Sequence, residues 1–193
     1  MPVYYLVDKS GSMDVRKTQV VHGLNEFLDS QRDLSSTISL YLFSNEVEPI
    51  VEHRSIHDCK PLSLDDYEPM GSTSLYDAMG LLLETKMRWN SSDPCILIIL
   101  TDGEDNSSYL YSSRRIRELI ELHSSQLELV FVGSNQQEIL FPSSQPSHMD
   151  YDDDQIDTAM RVTTDAVLRF QTQRTQSIEF TPLERERSKT RTL

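Results

Sequence analysis

The sequence predicts an α/β fold: a doubly wound, mostly parallel six-stranded sheet with one antiparallel edge strand and helices on both faces. Three observations predict it. Apolar runs of strand length alternate with segments whose apolar residues recur at helical spacing. Cys95-Ile96-Leu97-Ile98-Ile99-Leu100 is continuously apolar, the pattern of a central strand covered on both faces. Ser44-Asn45-Glu46 is too short a connection for a crossover, so the two runs it joins form an antiparallel hairpin.

In chain order, Val3 to Val7 reads as the first buried strand. Val20, Val21, Leu24, Phe27 and Leu28 then mark one face of a helix from about Asp14 to Arg32. Ile38 to Phe43 is the second strand and Val47 to Val51 the third, which Pro49 confines to a sheet edge. Residues 53–72, with Pro61, Pro69 and Gly71, show little periodicity and read as a long surface loop. Leu75, Ala78, Met79, Leu82 and Leu83 mark a second helix ending near Trp89, and Ser91 to Pro94 a turn. After the Cys95–Leu100 strand, a third helix is expected over Ser112–His123 and a strand over Leu127–Val132. Gln136–Phe141 reads as one or two helical turns, His148–Tyr151 as a short edge strand, and Asp153–Phe170 as the last helix. Residues 1–172 thus make one domain. Residues 173–193 make a polar, basic tail, either disordered or laid along the body.

The chain of 193 residues has a net charge of −13, which argues against nucleic acid as a partner, because phosphate backbones require clustered Lys and Arg. Only the tail reverses the sign: Arg174, Arg185, Arg187, Lys189 and Arg191 outnumber Glu179, Glu184 and Glu186. Two cysteines, Cys59 and Cys95, do not make a disulfide framework. The first strand begins too early to leave room for a signal peptide, and no apolar run has the length of a membrane span. The expected location is the cytoplasm, with no membrane partner.

The chemistry gathers at two strand ends. Asp8-Lys9-Ser10-Gly11-Ser12 follows the first strand, and Thr101-Asp102-Gly103 follows the Cys95 strand. In the common doubly wound strand order these strands are neighbours at the topological switch point, where ligands bind. Carboxylates and hydroxyls without nitrogen or sulfur suit a hard cation. An Asp-x-Ser-x-Ser turn by itself is usually a helix N-cap, and it is the addition of Thr73 and Asp102 in register that favours a metal site. Thr73, too, has an N-cap reading ahead of the Leu75 helix.

Taken together, Asp8-x-Ser10-x-Ser12, Gly71-Ser72-Thr73-Ser74-Leu75-Tyr76-Asp77-Ala78 and Thr101-Asp102-Gly103 resemble the three-part metal-ion-dependent adhesion site of von Willebrand factor A domains, over residues 3 to about 170. The resemblance implies a Rossmann-like sheet and a metal site made of Asp8, Ser10, Ser12, Thr73 and Asp102. It implies direct ligation by Ser10 and Ser12, ligation by Thr73 in the ligand-ready form, and action of Asp8 and Asp102 through water. The implied ion is Mg²⁺, with Mn²⁺ or Ca²⁺ as alternatives. Neutral first ligands leave it electron-poor, so it accepts an Asp or Glu side chain of a partner protein. Val130-Phe131-Val132-Gly133-Ser134-Asn135 and the short N-terminal lead resemble intracellular single-domain bacterial and viral members, of the tellurium-resistance-associated type.

The function expected is a non-enzymatic, cation-dependent protein-binding module. Two alternatives stand beside it. One is a Mg²⁺-dependent phosphohydrolase with Asp8 as nucleophile and Asp102 or Asp105 as metal ligand, although Ser10 stands where such enzymes carry a second Asp. The other is a scaffold whose metal site is unused. Glu104 and Asp105 read as solvated loop charges. Asp150-x-Asp152-x-Asp154 lacks the Gly and Glu of a calcium loop, having Gln155 and Arg161 there. His53, His57 and Cys59 have no fourth ligand for zinc.

Overall fold

The computed structural model describes residues 1–34, 36–89, 94–103, 105–133, 147–152, 155–173 and 176–189. Its strands are β1 (Pro2–Asp8), β2 (Thr37–Phe43), β3 (Val47–Ser55), β4 (Cys95–Thr101), β5 (Leu127–Gly133) and β6 (Ser147–Asp150). The helices are α1 (Lys17–Ser30), α2 (Leu75–Leu81), α3 (Ser113–Leu122), α4 (Ile156–Gln173) and α5 (Pro182–Arg187). The six strands form one sheet in the order β3-β2-β1-β4-β5-β6. β1 runs parallel to β2 and β4, β4 to β5, and β5 to β6, while β3 pairs antiparallel with β2 at the edge.

Side chains alternate across a strand, so each buried strand feeds two apolar layers. Val3, Tyr5 and Val7 of β1 pack with Ile96, Ile98 and Leu100 of β4 in the layer that α1 and α4 cover. Tyr4 and Leu6 join Leu97 and Ile99 in the opposite layer, closed by α2 and α3. This double coverage is why Cys95–Leu100 reads as one unbroken apolar run.

Differences from the sequence reading lie at element ends. A 3₁₀ turn over Gly11–Arg16 precedes α1, which starts at Lys17 rather than near Asp14. β3 runs on to Ser55, with register irregularities opposite Ile38–Tyr41 and a left-handed His53 (φ 47°), so the surface loop is shorter than expected. Pro49 sits opposite Tyr41 on the edge strand, the position in a sheet that tolerates a proline. α2 gives way to a wider π turn over Leu82–Lys86 instead of continuing to Trp89. Trp89 stacks on His123 with ring centroids 3.8 Å apart and donates its indole N–H to Leu83 O, which turns the chain off the helix axis. The Gln136–Phe141 turns expected from sequence lie outside the described residues. Beyond α4 the chain lies along the body, burying Ile178 and Phe180 in the α1/α4 layer. Among the described residues no helix is long and apolar enough to cross a membrane.

Candidate functional site: an oxygen-rich cluster at the β1/β4 seam

Val7 pairs with Leu100, so Asp8 and Thr101 stand side by side where β1 and β4 end. Asp8 is completely buried. One carboxylate oxygen accepts the Ser10 amide N–H at 2.7 Å and the other accepts the Thr101 hydroxyl at 2.6 Å. Tyr67, from the loop after β3, donates its hydroxyl to Asp8 O at 2.6 Å. Burial raises the Asp8 pKa; the Thr101 and Ser10 hydrogen bonds oppose that rise, and the nearby Asp102 charge adds to it.

From Asp8 a chain of polar contacts crosses to β4. Ser10 Oγ and Ser12 Oγ lie 3.1 Å apart. Ser12 Oγ donates to Asp102 Oδ1 at 2.7 Å, and Arg16 Nη1 donates to Asp102 Oδ2 at 2.7 Å. With its proton on the Asp102 carboxylate, Ser12 Oγ acts toward Ser10 and any further partner as an acceptor only, the role a hydroxyl takes toward a cation.

Thr73 arrives on the third wall. The loop before α2 is tied to the first turn by Gly11 N–H to Gly71 O at 3.1 Å and by Met70 N–H to Lys9 O at 2.7 Å. Gly71 has φ 80°, and a Cβ there would collide with Asn45 Oδ1. Thr73 is buried, its N–H held by Asn106 Oδ1 at 3.0 Å, and Thr73 Oγ1 would lie 3.6 Å from a Cβ added to Gly103. The structure therefore links Asp8, Ser10, Ser12 and Asp102 directly and sets the Thr73 hydroxyl above Gly103, beside Asp102. Two carboxylates and three hydroxyls at one strand seam make a donor set that fits a hard divalent cation.

Other sequence candidates lie elsewhere. Among the described residues no group of three His, Cys, Asp or Glu side chains is placed to hold a metal. His53 packs edge-on against Tyr4, and the Cys59 thiol donates to Ser55 O. Asp150 engages His148 and Lys189. Asp105, read from sequence as a solvated loop charge, accepts the Tyr76 N–H at 3.2 Å and the Ser108 hydroxyl, so it caps the start of α2. Its carboxylate is therefore spent on α2, not on a site beside Asp8.

Sequence reasoning missed Arg16 and Asn106, and it included Thr101 and Asp77 in the motif stretches without giving either a role. Asp77 accepts the N–H groups of Tyr109, Leu110 and Tyr111 at 2.8–3.0 Å, clamping the loop after β4 onto α2. Arg16 had a signal in its place four residues after Ser12, which returns its side chain over the same turn.

A crossover sheet with an oxygen cluster at its switch point defines a doubly wound α/β domain with polar side chains where such sheets bind ligands. The family model for the von Willebrand factor type A domain matches residues 3–104, just over half of the sequence, and the chain belongs to that family. A mouse protein, the collagen alpha-5(VI) chain, is 30% identical over 142 residues, covering 63% of this chain and 5% of its own length. Among solved structures, a von Willebrand factor type A protein from Catenulispora acidiphila superposes with a TM-score of 0.63 at 13% identity, over 86% of this chain and 42% of its own. Proximal thread matrix protein 1 from the mussel byssus, with a zinc-occupied MIDAS motif, gives 0.66 at 15% identity, over 86% and 45%. The chain spans less than half the length of each of these relatives.

Proposed function

We propose that this chain is a non-enzymatic, divalent-cation-dependent protein-binding module whose site is Asp8, Ser10, Ser12, Thr73 and Asp102. The observation that carries the reading is the hydrogen-bonded run from Asp8 through Ser10 and Ser12 to Asp102, with Thr73 on the facing loop. Ser10, Ser12 and Thr73 supply neutral oxygens, and the two carboxylates orient those hydroxyls and hold water. When bound, Mg²⁺ (or Mn²⁺ or Ca²⁺) supplies a Lewis-acidic position for an Asp or Glu carboxylate from a partner protein. The zinc-occupied site of the byssus protein supports a divalent ion in this kind of domain. Asp8 as a phosphohydrolase nucleophile is disfavoured, since the residue is buried and both its oxygens are engaged. Two free, buried cysteines suit a reducing, cytoplasmic setting. The tellurium-resistance-associated placement rests on the sequence around Val130–Gly133, which forms β5.

Thermal unfolding of the full chain with and without Mg²⁺ or Mn²⁺ tests the site. At a hundred times the dissociation constant, about 2.7 kcal/mol of stabilisation is expected. Ser10→Ala and Asp102→Ala should abolish it. An unchanged melting curve for the wild type, or an equal shift in both variants, overturns the assignment. Affinity capture with and without EDTA then tests the partner, and release of nothing by EDTA counts against cation-dependent binding.

A further inference from the structure

The segment after β4 returns along the start of α2 and is bonded to it at successive positions. Asn106 Oδ1 accepts the Thr73 N–H at 3.0 Å, and the Asn106 N–H donates to Thr73 O at 3.0 Å. Beside that pair, Ser107 Oγ and Ser74 Oγ lie 2.8 Å apart. Ser108 Oγ accepts the Asp77 N–H at 3.0 Å, and the Asp77 carboxylate takes the N–H groups of Tyr109, Leu110 and Tyr111. Both backbone groups of Thr73 are thus held by one residue, which follows Asp102 by four positions.

We propose that Asn106 is the positioning residue of Thr73, holding that residue's backbone so that its hydroxyl takes its place in the cation site. This role rests on the cation-site reading above. Once its N–H and C=O are fixed, a threonine aims its hydroxyl through χ1 alone, which has three staggered settings. A backbone set free would spread that oxygen over several positions. Mg²⁺ tolerates little spread, because it demands near-ideal octahedral geometry. Asparagine suits the task because its side-chain carbonyl accepts while its own backbone N–H donates, so a single residue closes both bonds. The clamp also ties the chain bearing Thr73 to the chain bearing Asp102, two donors that come from different elements. Asn106 itself is exposed, so its substitution opens no cavity in the core.

The test is calorimetric titration of the full chain with Mn²⁺ in a double-mutant cycle. Thr73→Ala and Asn106→Leu should each weaken binding, and for Asn106→Leu the expected loss is roughly fivefold, the worth of one amide hydrogen bond. In Thr73→Ala, which has no hydroxyl to place, adding Asn106→Leu should change the affinity by less than about twofold. Asn106→Asp keeps the acceptor. Corrected for its added charge by the same change in Thr73→Ala, its affinity should equal that of the wild type, and a loss as large as that of Asn106→Leu overturns the role. An Asn106→Leu that binds as the wild type does overturns it too. A loss of equal size with and without the Thr73 hydroxyl marks a general loop anchor and is equally fatal. Wild-type affinity in Thr73→Ala overturns the role while leaving the rest of the cation site standing. Should Asn106→Leu fail to fold, Asn106→Ala takes its place in the cycle. Independently, the Thr73 amide of the wild type should be protected from hydrogen exchange with no metal added, and exchange at the rate of an unstructured chain would overturn the role. A wild type that binds no Mn²⁺ sinks the cation-site reading itself, and this role with it.

Discussion

Gly71 shows how much of the site depends on one backbone angle. Its φ of 80° is a left-handed conformation that costs an L-residue roughly 1–2 kcal/mol. Asn45 Oδ1, which accepts the Ser72 N–H at 3.0 Å, already occupies the space a Cβ would need. The Gly71 carbonyl accepts the Gly11 N–H, so the turn bearing Ser10 and Ser12 and the loop bearing Thr73 meet there. Gly71→Ala should lower stability in urea by about 2 kcal/mol or more. It should also shrink the Mg²⁺ melting shift, although residue 71 contributes no ligand. A full Mg²⁺ shift in a destabilised Gly71→Ala would mean that the loop junction does not set the site.

The element scale is best seen where the chain returns after α4. Thr181 caps α5 through a reciprocal pair with Glu184, and Pro182 opens it. Arg169 of α4 holds Glu184 with two hydrogen bonds, at 2.6 and 3.1 Å. Arg185 donates to His148 O, and Lys189 reaches Asp150 on β6. These contacts cover the β6 edge, which an exposed strand would otherwise offer to another chain. His148 sits among them, Nε2 2.7 Å from Asp150 Oδ1. Burial lowers its pKa; the Asp150 hydrogen bond and charge oppose this, while Arg185 and Lys189 add to the lowering. A histidine with a lowered folded pKa contributes stability that is present above its unfolded value, about 6.5, and lost as pH falls through the folded one. Hydrogen exchange in α5, corrected for intrinsic rates, should therefore accelerate as pH drops below about 6.5. His148→Gln should remove that acid sensitivity; its persistence would place the titrating group elsewhere.

At the scale of the whole molecule, a charge of −13 makes the folded chain repel itself. Monovalent salt should therefore raise the melting temperature without any site being filled, and Ser10→Ala should respond as the wild type does. Mg²⁺ at matched ionic strength should give a further gain in the wild type alone. If monovalent salt reproduces the whole Mg²⁺ effect, screening rather than the strand-end cluster is responsible.

The sheet was legible in the sequence because burial leaves a local trace. Cys95–Leu100 is apolar throughout since both faces of β4 are covered, and Pro49 marks the edge because it cannot donate to a ladder. The three stretches carrying Asp8, Ser10, Ser12, Thr73 and Asp102 were likewise visible, each at a punctuated strand or helix end. What only the tertiary structure decided is who partners whom. Thr101 on Asp8, Arg16 on Asp102, and Asp105 and Asn106 on the segment leading into α2 are contacts across strand crossovers. Periodicity reports which face of an element is dry. A charge on a loop finds its counterpart only after the crossovers have laid β4 against β1, so the electrostatics of the site belong to the fold, and its donor atoms to the sequence.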